Sequence, residues 1–490
     1  MTNSSHSGHS HSTVNLNPRF VNPFPKRTPI RLPAVEWSLY DLYTKMELPL
    51  VPLIDQMMAN GMGIDVEYMK ELSIELRQKQ EEHTREAANL LGISEVGLNL
   101  ASPPQVGAIL FGQLRLRPIS FSKLTKEPST DETTIGKLQE QLGVDPTAMD
   151  KVYEKDGTPK YEDLTDKTRA SWFMFHLLQF RMFDKLKDSY VDKMLKLVDA
   201  GNRIYTTLDQ TSVVSGRLSS KDPFNFMAIP KDGYWAKRVR KGFKPRPGYT
   251  HVALDFSQVE MRVTAHASHD PNMMVAFITD QDIHSMTAAM MFSIPINEVD
   301  KDLHRYPAKR VGFGTQFGLT EQGLLPHLPP INRNLQYAKE FIERYFKVYA
   351  LVKDLIDEVQ ASTRRYGYAR DQWGRIRFMP EINSAIERIQ AEGARGAFSH
   401  FIQGTAQGII KIPMGDTLGL IDHYKFDCIP LIQIHDEMDW EVRDDQVQDA
   451  AECFGEVYAN AVKLDVPIKV EVDAGPTWGD LKNILAVTSR

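Results

Sequence analysis

The sequence of 490 residues predicts an α+β fold in which an antiparallel sheet is flanked and overhung by helices. Two observations support this prediction. Residues 65–91 and 170–198 are long, charged and amphipathic, as solvent-exposed helices are. Residues 250–254, 428–434 and 438–442 are short β-prone runs, and the last two are close enough in sequence to form a hairpin. With a further run near the C-terminus, we expect a sheet of about four strands.

Length and composition limit the class of protein. A chain of 490 residues can hold several domains or one multi-lobed enzyme. No apolar run is long enough to span a membrane, and the N-terminus lacks the apolar core of a signal peptide. The two cysteines, Cys428 and Cys453, cannot build a disulfide framework, so we expect a reducing, intracellular setting. The net charge of −6 disfavours a protein that coats nucleic acid, but it is compatible with an enzyme that has a local basic cleft.

The N-terminal part is polar and then helical. Residues 1–35 are rich in Ser, His, Asn and Pro and predict a disordered tail or linker. His6, His9 and His11 in this tail could bind a metal ion, although a flexible tail without function is the simpler interpretation. Two long helices with small helices between them predict a protruding helical lobe over residues 63–202.

After residue 202 the patterning changes. Residues 204–210 alternate as a strand does, and residues 215–223 form a polar stretch that predicts a loop with two cations. The run 250–254 ends in Asp255, and an amphipathic helix follows from about Gln258. A carboxylate at the carboxyl end of a strand is a common catalytic placement. An N-cap role would suit Asp255 equally well.

Residues 304–318 carry the most informative pattern. Arg305, Lys309, Phe313 and Phe317 are spaced by four, so on a helix they form one slowly drifting stripe of two cations and two rings. Cations bind phosphate and rings stack on bases, which suits a nucleotide. The glycines between them would leave bare backbone for a flat ligand. A solvated basic edge beside two core phenylalanines would give the same pattern.

Acidic residues lie at the tip of the expected hairpin. The strands 428–434 and 438–442 flank His435-Asp436-Glu437, so Asp255 and Asp436 are two carboxylates at strand ends. Mg²⁺ commonly takes one or two carboxylates together with substrate phosphates. A pair of such ions activates an attacking hydroxyl and stabilises a leaving oxygen. With the basic stripe, the pattern indicates phosphoryl transfer, although spacing alone does not show that these residues meet.

Three motifs in this order resemble those of family A (polymerase I family) DNA polymerases, and the resemblance runs from about residue 36 to the C-terminus. Residues 255–262 are similar to the first motif, residues 305–318 to the fingers helix, and residues 433–437 to the third motif. Supporting matches lie at 215–223 with 229–230, 282–284, 374–377, and Arg395 with 403–406. The resemblance implies a right-hand polymerase fold with an antiparallel-sheet palm, helical fingers and a helical thumb.

The resemblance also implies a division of the chain and an activity. The expected segments are 1–35, tail or linker; 36–62, N-terminal palm; 63–202, thumb; 203–262, palm with the first motif; 263–385, fingers; and 386–490, palm with the third motif. The implied activity is template-directed addition of deoxynucleotides to a primer 3′ end by two-metal-ion nucleotidyl transfer, with release of pyrophosphate. Because residues 1–35 leave no room for a nuclease domain, we expect no proofreading exonuclease in this chain.

The implied catalytic residues are Asp255, Asp436 and Lys309. Asp255 and Asp436 would hold two Mg²⁺ ions, for which Mn²⁺ can substitute, and the backbone carbonyl of Phe256 would be a further ligand. Lys309 would bind the triphosphate and donate a proton to the pyrophosphate leaving group. Glu437 would have a secondary role beside the metals.

The remaining implied site residues bind substrates. The deoxynucleotide set is Arg305, Lys309, Phe313, Phe317, His284, Glu260 and Gln258. The primer–template set is Arg217, Arg395, Gln433 and His435. Glu260 would occupy the 2′ side of the sugar and exclude ribonucleotides. Phe317 stands where the family commonly has Tyr, so the ring can still stack on the template base but the hydrogen bonds of the hydroxyl are lost.

The expected partners are primer–template DNA and deoxynucleoside triphosphates. We expect a monomer without membrane contact, in the cytoplasm of a bacterium or a phage-infected host, with separate exonuclease or replisome proteins. Two other classes remain open. A catalytically dead nucleic-acid-binding or scaffold protein would lack Asp255, Asp436 or Lys309, and all three are present. An RNA-synthesising enzyme of the same fold is disfavoured by Glu260 and Phe313.

Overall fold

The computed structural model describes residues 30–34, 37–122, 124–144, 164–316, 318–329 and 332–489. Contacts divide the chain into two compact units. Unit 1 comprises the described residues within 1–62, 205–227 and 245–490, and unit 2 comprises those within 63–204 and 228–244. Among the described residues, no helix is both long and apolar enough to cross a membrane.

The secondary structure of the described residues is mainly helical. The α-helices are α1 (Leu39–Leu42), α2 (Val51–Asn60), α3 (Val66–Leu91), α4 (Pro103–Gly107), α5 (Glu132–Leu142), α6 (Asp166–Asp184), α7 (Asp192–Leu197), α8 (Tyr234–Lys241), α9 (Val259–Ser268), α10 (Pro271–Ile278), α11 (Ile283–Phe292), α12 (Tyr306–Gln316), α13 (Glu321–Leu324), α14 (Leu335–Val348), α15 (Ala350–Tyr366), α16 (Glu387–Met414), α17 (Thr417–Tyr424) and α18 (Val447–Asn460). The strands are β1 (Ile30–Arg31), β2 (Met62–Gly63), β3 (Arg203–Ile204), β4 (Thr206–Asp209), β5 (Ser219–Pro223), β6 (Tyr249–Phe256), β7 (Tyr368–Arg370), β8 (Ile376–Phe378), β9 (Cys428–Ile434), β10 (Glu437–Arg443), β11 (Val462–Lys463), β12 (Lys469–Gly475) and β13 (Lys482–Thr488).

Unit 1 contains a five-stranded antiparallel sheet in the order β13–β12–β6–β10–β9. The expected hairpin is present, but the sheet has one strand more than expected. Strand β13 was not predicted because it forms an edge, and of its residues only Val487 is buried, which leaves little apolar alternation in the sequence. The strand predicted near 204–210 lies outside this sheet. There β4 pairs with β5, so part of the predicted polar loop is a strand.

The two faces of the sheet differ in character. Trp440 and Phe256 point to one face and meet helix α18: Trp440 stacks on Phe454 at 4.9 Å between ring centroids, and Phe256 lies 6.1 Å from Tyr458. Burial of each such ring stabilises the fold by roughly 1.5–3 kcal/mol. Because side chains alternate along a strand, Asp255 and the neighbours of Trp440 point to the opposite face. That face carries the polar residues of the candidate site.

Residues 30–34 contradict the prediction that all of 1–35 is a disordered tail or linker. Strand β1 pairs in parallel with β11, and Leu32 is buried. Arg31 also forms an ion pair with Asp465 at 3.1 Å. Backbone pairing and burial therefore order this short segment, and neither is visible in local composition. Residues 1–29, with His6, His9 and His11, lie outside the described residues.

Several predicted helices of unit 1 are present with changed limits. Helix α12 begins at Tyr306, so Pro307 lies in its first turn, where a missing N–H costs little. The single helix expected at about 336–365 is instead α14 and α15, which are divided at Tyr349. The Tyr349 hydroxyl is hydrogen-bonded to that of Thr287 on α11 at 2.7 Å, a long-range contact that sequence patterning does not show.

Unit 2 is helical, as predicted for residues 63–202. Helix α3 is capped by Asp65, which accepts a hydrogen bond from the Tyr68 backbone N–H, and it packs along α6. A π-helical segment at 185–191 connects α6 directly to α7, so the chain is helical without a break from α6 to α7.

Residues 228–244 belong to unit 2, although the sequence prediction assigned them to the palm range 203–262. Helix α8 packs on α3, where the Tyr68 hydroxyl donates to the Arg238 carbonyl oxygen at 3.0 Å and Arg238 pairs with Glu75. Gly242 lies against the Met69 side chain with no space for a Cβ atom. These contacts join segments about 170 residues apart, so local sequence could not predict the boundary.

A buried histidine pair in unit 2 predicts acid sensitivity. His83 Nδ1 and His176 Nδ1 are 2.9 Å apart. Burial, together with the nearby His83, lowers the pKa of His176 from 6.5 to about 4, and burial also lowers the pKa of His83. The folded state therefore binds fewer protons than the unfolded state, so the free energy of unfolding falls as the pH drops below about 6.5. We expect a loss of about 2 kcal/mol between pH 7 and pH 5 from His176 alone.

Urea titrations at these two pH values measure the effect. The variant His83→Leu/His176→Leu should lose this pH dependence, whereas His423→Leu, which alters an exposed histidine, should keep it. Equal pH dependence in both variants would show that the pair does not cause it.

Candidate active site

The two predicted carboxylates lie at one junction of the sheet. Strand β6 ends at Asp255-Phe256, β10 begins at Glu437, and Asp255 is paired in register with Glu437. The Phe256 N–H donates to the backbone oxygen of Asp436 at 3.1 Å. Asp255 and Asp436 are thereby fixed on adjacent strand ends. The alternative that Asp255 caps the following helix is wrong, because Asp255 is within β6 and the N-cap of α9 is Gln258.

The hairpin turn that carries Asp436 is stabilised by a hydrogen bond between two of its own residues. His435 has a φ of +53°, in the left-handed region, and the buried Gln433 side chain donates through Nε2 to the His435 carbonyl oxygen. Gln433 and His435 thus act together to shape the turn. Their predicted contacts with DNA remain a prediction.

Behind the junction lies a polar cluster that the sequence analysis did not identify. Trp478 Nε1 donates to Glu437 Oε1 at 3.2 Å, and the Trp478 ring is stacked on His251 with 6.4 Å between centroids. His251 Nε2 in turn lies 2.7 Å from Asp439 Oδ1. Glu437 is therefore oriented from behind by an indole N–H. The alternation of acidic residues along 437–441 was the signal that could have revealed this polar face.

Glu260, on the first turn of α9, forms an ion pair with Arg217. The distance from Arg217 Nη2 to Glu260 Oε1 is 2.7 Å. Burial raises the pKa of Glu260 to about 7; Arg217 opposes this shift, and the nearby charge of Asp436 adds to it. The structure therefore brings Glu260 and Arg217 to the carboxylate junction. Gln258, two residues before Glu260, has a left-handed backbone, and its buried Oε1 has no hydrogen-bond partner among the described residues.

The loop that carries Arg217 is held by a buried ionic cluster. Arg375 donates through Nη1 to the Ser215 carbonyl oxygen at 3.3 Å and through Nη2 to Glu47 Oε1 at 2.7 Å. Lys411, which is fully buried, donates to Glu47 Oε2 at 2.6 Å. Burial lowers the pKa of Lys411 to about 8, although the Glu47 charge opposes this shift. The sequence analysis included Arg375 only within the supporting match 374–377 and gave it no role, and it did not identify Lys411.

A second group of predicted residues gathers around the start of α12. Asp282, the N-cap of α11, accepts two hydrogen bonds from Arg305, at 2.7 Å from Nε and 3.2 Å from Nη2. Burial opposes ionisation of Asp282, but hydrogen bonds from Arg305 and Ser285 outweigh it and lower the pKa of Asp282 to about 2. Asp282 was quoted only as part of a motif, and its geometry makes it the residue that orients Arg305.

His284, Lys309 and Phe313 complete this group. The rings of His284 and Phe313 are 5.4 Å apart, and Lys309 Nζ lies 5.9 Å from the Phe313 ring centroid. Burial lowers the pKa of His284 to about 4; Asp282 opposes this shift, and Arg305 and Lys309 add to it. His284 is therefore neutral near pH 7, beside two cations.

The glycines near the end of α12 have a different role from the predicted one. A Cβ atom at Gly314 would overlap the Leu319 side chain, and Gly318, with a φ of +73°, lies against Arg395. Both glycines make room for the protein's own side chains rather than for a flat ligand. The contact with Gly318 places the Arg395 side chain next to the C-terminal end of α12. Phe317 lies outside the described residues.

The two groups are linked through α9. Helix α9 begins just after Asp255 and carries Glu260, and the end of its Met261 side chain lies 3.8 Å from where a Cβ atom at Gly312 of α12 would be. The same short helix therefore lies next to the carboxylate junction at one end and near Gly312 of α12 through Met261.

The donor set at the junction fits a divalent cation. Among the described residues, no group of three or more His, Cys, Asp or Glu side chains is arranged to hold a metal ion. Asp255 and Asp436 nevertheless supply hard oxygen donors at strand ends fixed by a backbone hydrogen bond. Mg²⁺ commonly accepts such partial sets and completes its coordination with water and substrate phosphates. The junction therefore suits a cation that is shared with a substrate.

Comparisons with known proteins agree with this fold. Residues 155–480 match the model of DNA polymerase family A. The chain is 33% identical over 452 residues to the thermostable DNA polymerase I of Thermus filiformis and 32% identical over 444 residues to DNA polymerase I of Pseudomonas aeruginosa. These alignments cover 92% and 90% of the chain but 50% and 45% of the relatives. The chain thus spans about half the length of the curated relatives it matches.

A solved structure is similar over most of the chain. The POL domain of Pol1 from M. smegmatis, in a complex with DNA primer–template and dNTP, matches with a TM-score of 0.78 and 31% identity, over 90% of this chain and 71% of that one. The fold is therefore a right-hand polymerase fold with an antiparallel-sheet palm, helical fingers and a helical thumb. The chain belongs to DNA polymerase family A.

Proposed function

We propose that the chain is a template-directed DNA polymerase that adds deoxynucleotides to a primer 3′ end and releases pyrophosphate. The observation that carries the proposal is the backbone hydrogen bond that joins Phe256 to Asp436 and brings the backbones of the two acidic residues, Asp255 and Asp436, together at adjacent strand ends. We place the palm at residues 36–62, 203–227, 245–262 and 386–490. The fingers are proposed at residues 263–385, and the thumb at residues 63–202 with 228–244.

The proposed metal ligands are Asp255, Asp436 and the carbonyl of Phe256. When bound, two Mg²⁺ or Mn²⁺ ions would activate the primer hydroxyl and stabilise the charge of the leaving pyrophosphate. The protein's part is to hold the two carboxylates in fixed positions before substrate arrives. Glu437, oriented by the Trp478 N–H, adds negative charge beside them.

The face of α12 would bind the triphosphate. Arg305 is preoriented by its two hydrogen bonds with Asp282, so little side-chain freedom is lost on binding. Lys309 supplies a second cation and a proton for the leaving group. His284 can donate a hydrogen bond without adding charge, because its pKa is lowered to about 4. Phe313 would pack on the sugar and base.

The remaining partners follow from these roles. Arg217, Arg395, Gln433 and His435 would contact the primer–template near its junction. Gln258 and Phe317 complete the proposed nucleotide set. We propose that the chain acts as a monomer inside a bacterium or a phage-infected cell, beside separate replisome or exonuclease proteins.

A primer-extension assay tests the proposal. Purified chain, a labelled primer on a DNA template and Mg²⁺ should give products extended to the template end with deoxynucleotides. We expect no such products with ribonucleotides or without template. Absence of extension with deoxynucleotides would contradict the proposal, and efficient extension with ribonucleotides would favour the RNA-synthesising alternative.

Glu260 is expected to set sugar selectivity. Glu260→Ala removes the buried carboxylate on the 2′ side, so the ratio of kcat/KM for deoxynucleotides to that for ribonucleotides should fall roughly 10-fold to 200-fold. Arg217→Gln is the matched control, because it breaks the 2.7 Å ion pair but leaves the carboxylate in position. If both variants lose selectivity equally, the ion pair and not the Glu260 side chain is responsible.

A further inference from the structure

We propose that an exposed aromatic and basic surface on the β7–β8 ribbon binds the single-stranded template ahead of the primer terminus. The surface consists of Tyr366, Tyr368 and Phe378 with Arg364, Arg365 and Arg370, and is called here the ribbon surface. The proposal rests on the proposed polymerase function and adds to it a binding site for single-stranded DNA outside the carboxylate junction.

The ribbon has one buried and one exposed face. Strands β7 and β8 are antiparallel, with Tyr368 paired in register with Phe378 and Ala369 with Arg377. Ala369 is buried in a cluster with Met379, Ile382, Ala394 and Ala397. Because side chains alternate along a strand, Tyr368, Arg370 and Phe378 share the outer face. Within the part of the chain that the structure describes, Phe378 on this outer face is 73% exposed.

Three rings follow one another across this outer face. Tyr366 and Tyr368 are 6.1 Å apart between centroids, and Tyr368 and Phe378 are 6.3 Å apart. Tyr366 is 56% exposed, so the two outer members of the row present accessible ring surface. Large exposed aromatic side chains in a row mark a binding surface more often than an ordinary surface. Each ring offers a platform on which a nucleobase can stack without sequence preference.

The charge of the ribbon surface is strongly positive in an acidic chain. Residues 364–378 contain five arginines and a single carboxylate, Asp371, although the net charge of the chain is −6. Asp371 is buried and already bonded to Arg375 at 3.2 Å. Arg364, Arg365 and Arg370 are exposed, and none of them pairs with a carboxylate among the described residues. The Arg365 guanidinium lies 5.3 Å from the Tyr366 ring, which combines a cation with a stacking platform.

The ribbon begins next to the candidate active site. The turn between its strands carries Arg375, which donates to the Ser215 carbonyl oxygen two residues before Arg217. Each strand has three residues and so extends roughly 10 Å from that turn. A strand of DNA that passes the Arg217 loop could therefore reach the three rings within a few nucleotides. The DNA phosphates would bind the arginines and the bases would stack on the rings. An acidic peptide would bind the arginines but has no bases to stack on the rings, so single-stranded DNA fits this surface better.

Binding to templates with different overhangs tests the proposal. The probe is a fluorescent primer–template with a 5′ template overhang of either one nucleotide or about 12 nucleotides, the size of a typical single-strand site. We expect wild type to bind the long overhang roughly tenfold more tightly, measured by fluorescence anisotropy. Tyr366→Ala/Phe378→Ala should lose this difference, and Tyr366→Phe/Phe378→Tyr, which keeps both rings, should retain it.

Additional experiments identify which DNA strand the ribbon surface binds and separate this test from the test of the polymerase function. Arg364→Gln/Arg365→Gln should reduce the salt dependence of long-overhang binding, since fewer counterions are displaced. Extension across the one-nucleotide overhang should be unchanged in all ribbon variants, because that template is too short to reach the ribbon surface. If wild type fails to extend this template, the result contradicts the proposed polymerase function and leaves the ribbon-surface proposal to the binding assay. Equal overhang preference in wild type and the double alanine variant would overturn the proposal. A preference that follows a 5′ flap on a downstream strand instead of the template overhang would also overturn it.

Discussion

Asp436→Asn is expected to lower the rate of primer extension by about 1,000-fold or more, with Asp255→Asn giving a similar loss. Each carboxylate supplies a negative oxygen donor at the strand junction, and an amide of the same shape does not neutralise a divalent cation. Stabilisation of transition-state charge by such ions amounts to several kcal/mol, and each 1.36 kcal/mol corresponds to a factor of ten in rate. Single-turnover extension at saturating deoxynucleotide measures the effect.

Glu471→Gln is the matched control for both variants. Glu471 is paired in register with Asp255 from the other neighbouring strand, so it is an acidic side chain in the same row of the sheet. Its charge acts on Arg262, and we expect its loss to change the rate by no more than about threefold. Primer–template binding should persist in all three variants, which shows that they fold. If Asp436→Asn extends primers as fast as Glu471→Gln, the assignment of metal ligands is wrong.

Lys411→Met is expected to cause a large loss of stability in unit 1. The ammonium of Lys411 is fully buried and donates to Glu47 at 2.6 Å. Without it, Glu47 retains Arg375 and the Gln210 amide but loses half of its cationic environment. Removal of one partner from a buried pair costs about 3–5 kcal/mol, because a charge is left without compensation. The free energy of unfolding from urea titration measures this cost.

Two further variants show whether the cost comes from the buried pair. Glu47→Gln/Lys411→Met removes both charges and should recover part of the loss. Lys353→Met breaks an exposed pair with Asp357 on α15 and should cost less than about 0.5 kcal/mol. A loss for Lys411→Met no larger than that for Lys353→Met would contradict the buried-pair interpretation. Because Arg375 also holds the Arg217 loop, we expect weaker primer–template binding by Lys411→Met as well.

Strong local patterns predicted much of the fold. The hairpin of β9 and β10, the long helix α3 and the helix α12 with Pro307 in its first turn all follow from hydrophobic periodicity, capping and turn residues. Features that depend on partners distant in the sequence were missed. They include the edge strand β13, the pairing of β1 with β11, and the packing of residues 228–244 on α3, because local composition contains no information about these contacts.

The candidate site shows the same limit at the level of single residues. Motif spacing predicted Asp255, Asp436, Arg305 and Lys309 as site residues, because residue type and order along the chain carry that chemical information. It did not identify the residues that orient them. Asp282 holds Arg305, Trp478 holds Glu437, and the Glu47–Lys411–Arg375 cluster holds the Arg217 loop. In the sequence, these orienting residues cannot be distinguished from other polar residues, because their contacts form only in the folded structure.

The sequence by itself determined the α+β class, the order of the motifs and the chemical identity of the groups that would handle a metal and a triphosphate. Tertiary structure decided which of these groups meet. Register across β6 and β10 sets Asp255 beside Asp436, and the fold brings Met261 of α9 next to Gly312 of α12. The physical reason is that side-chain chemistry is local, whereas strand register and burial depend on contacts between segments more than 100 residues apart.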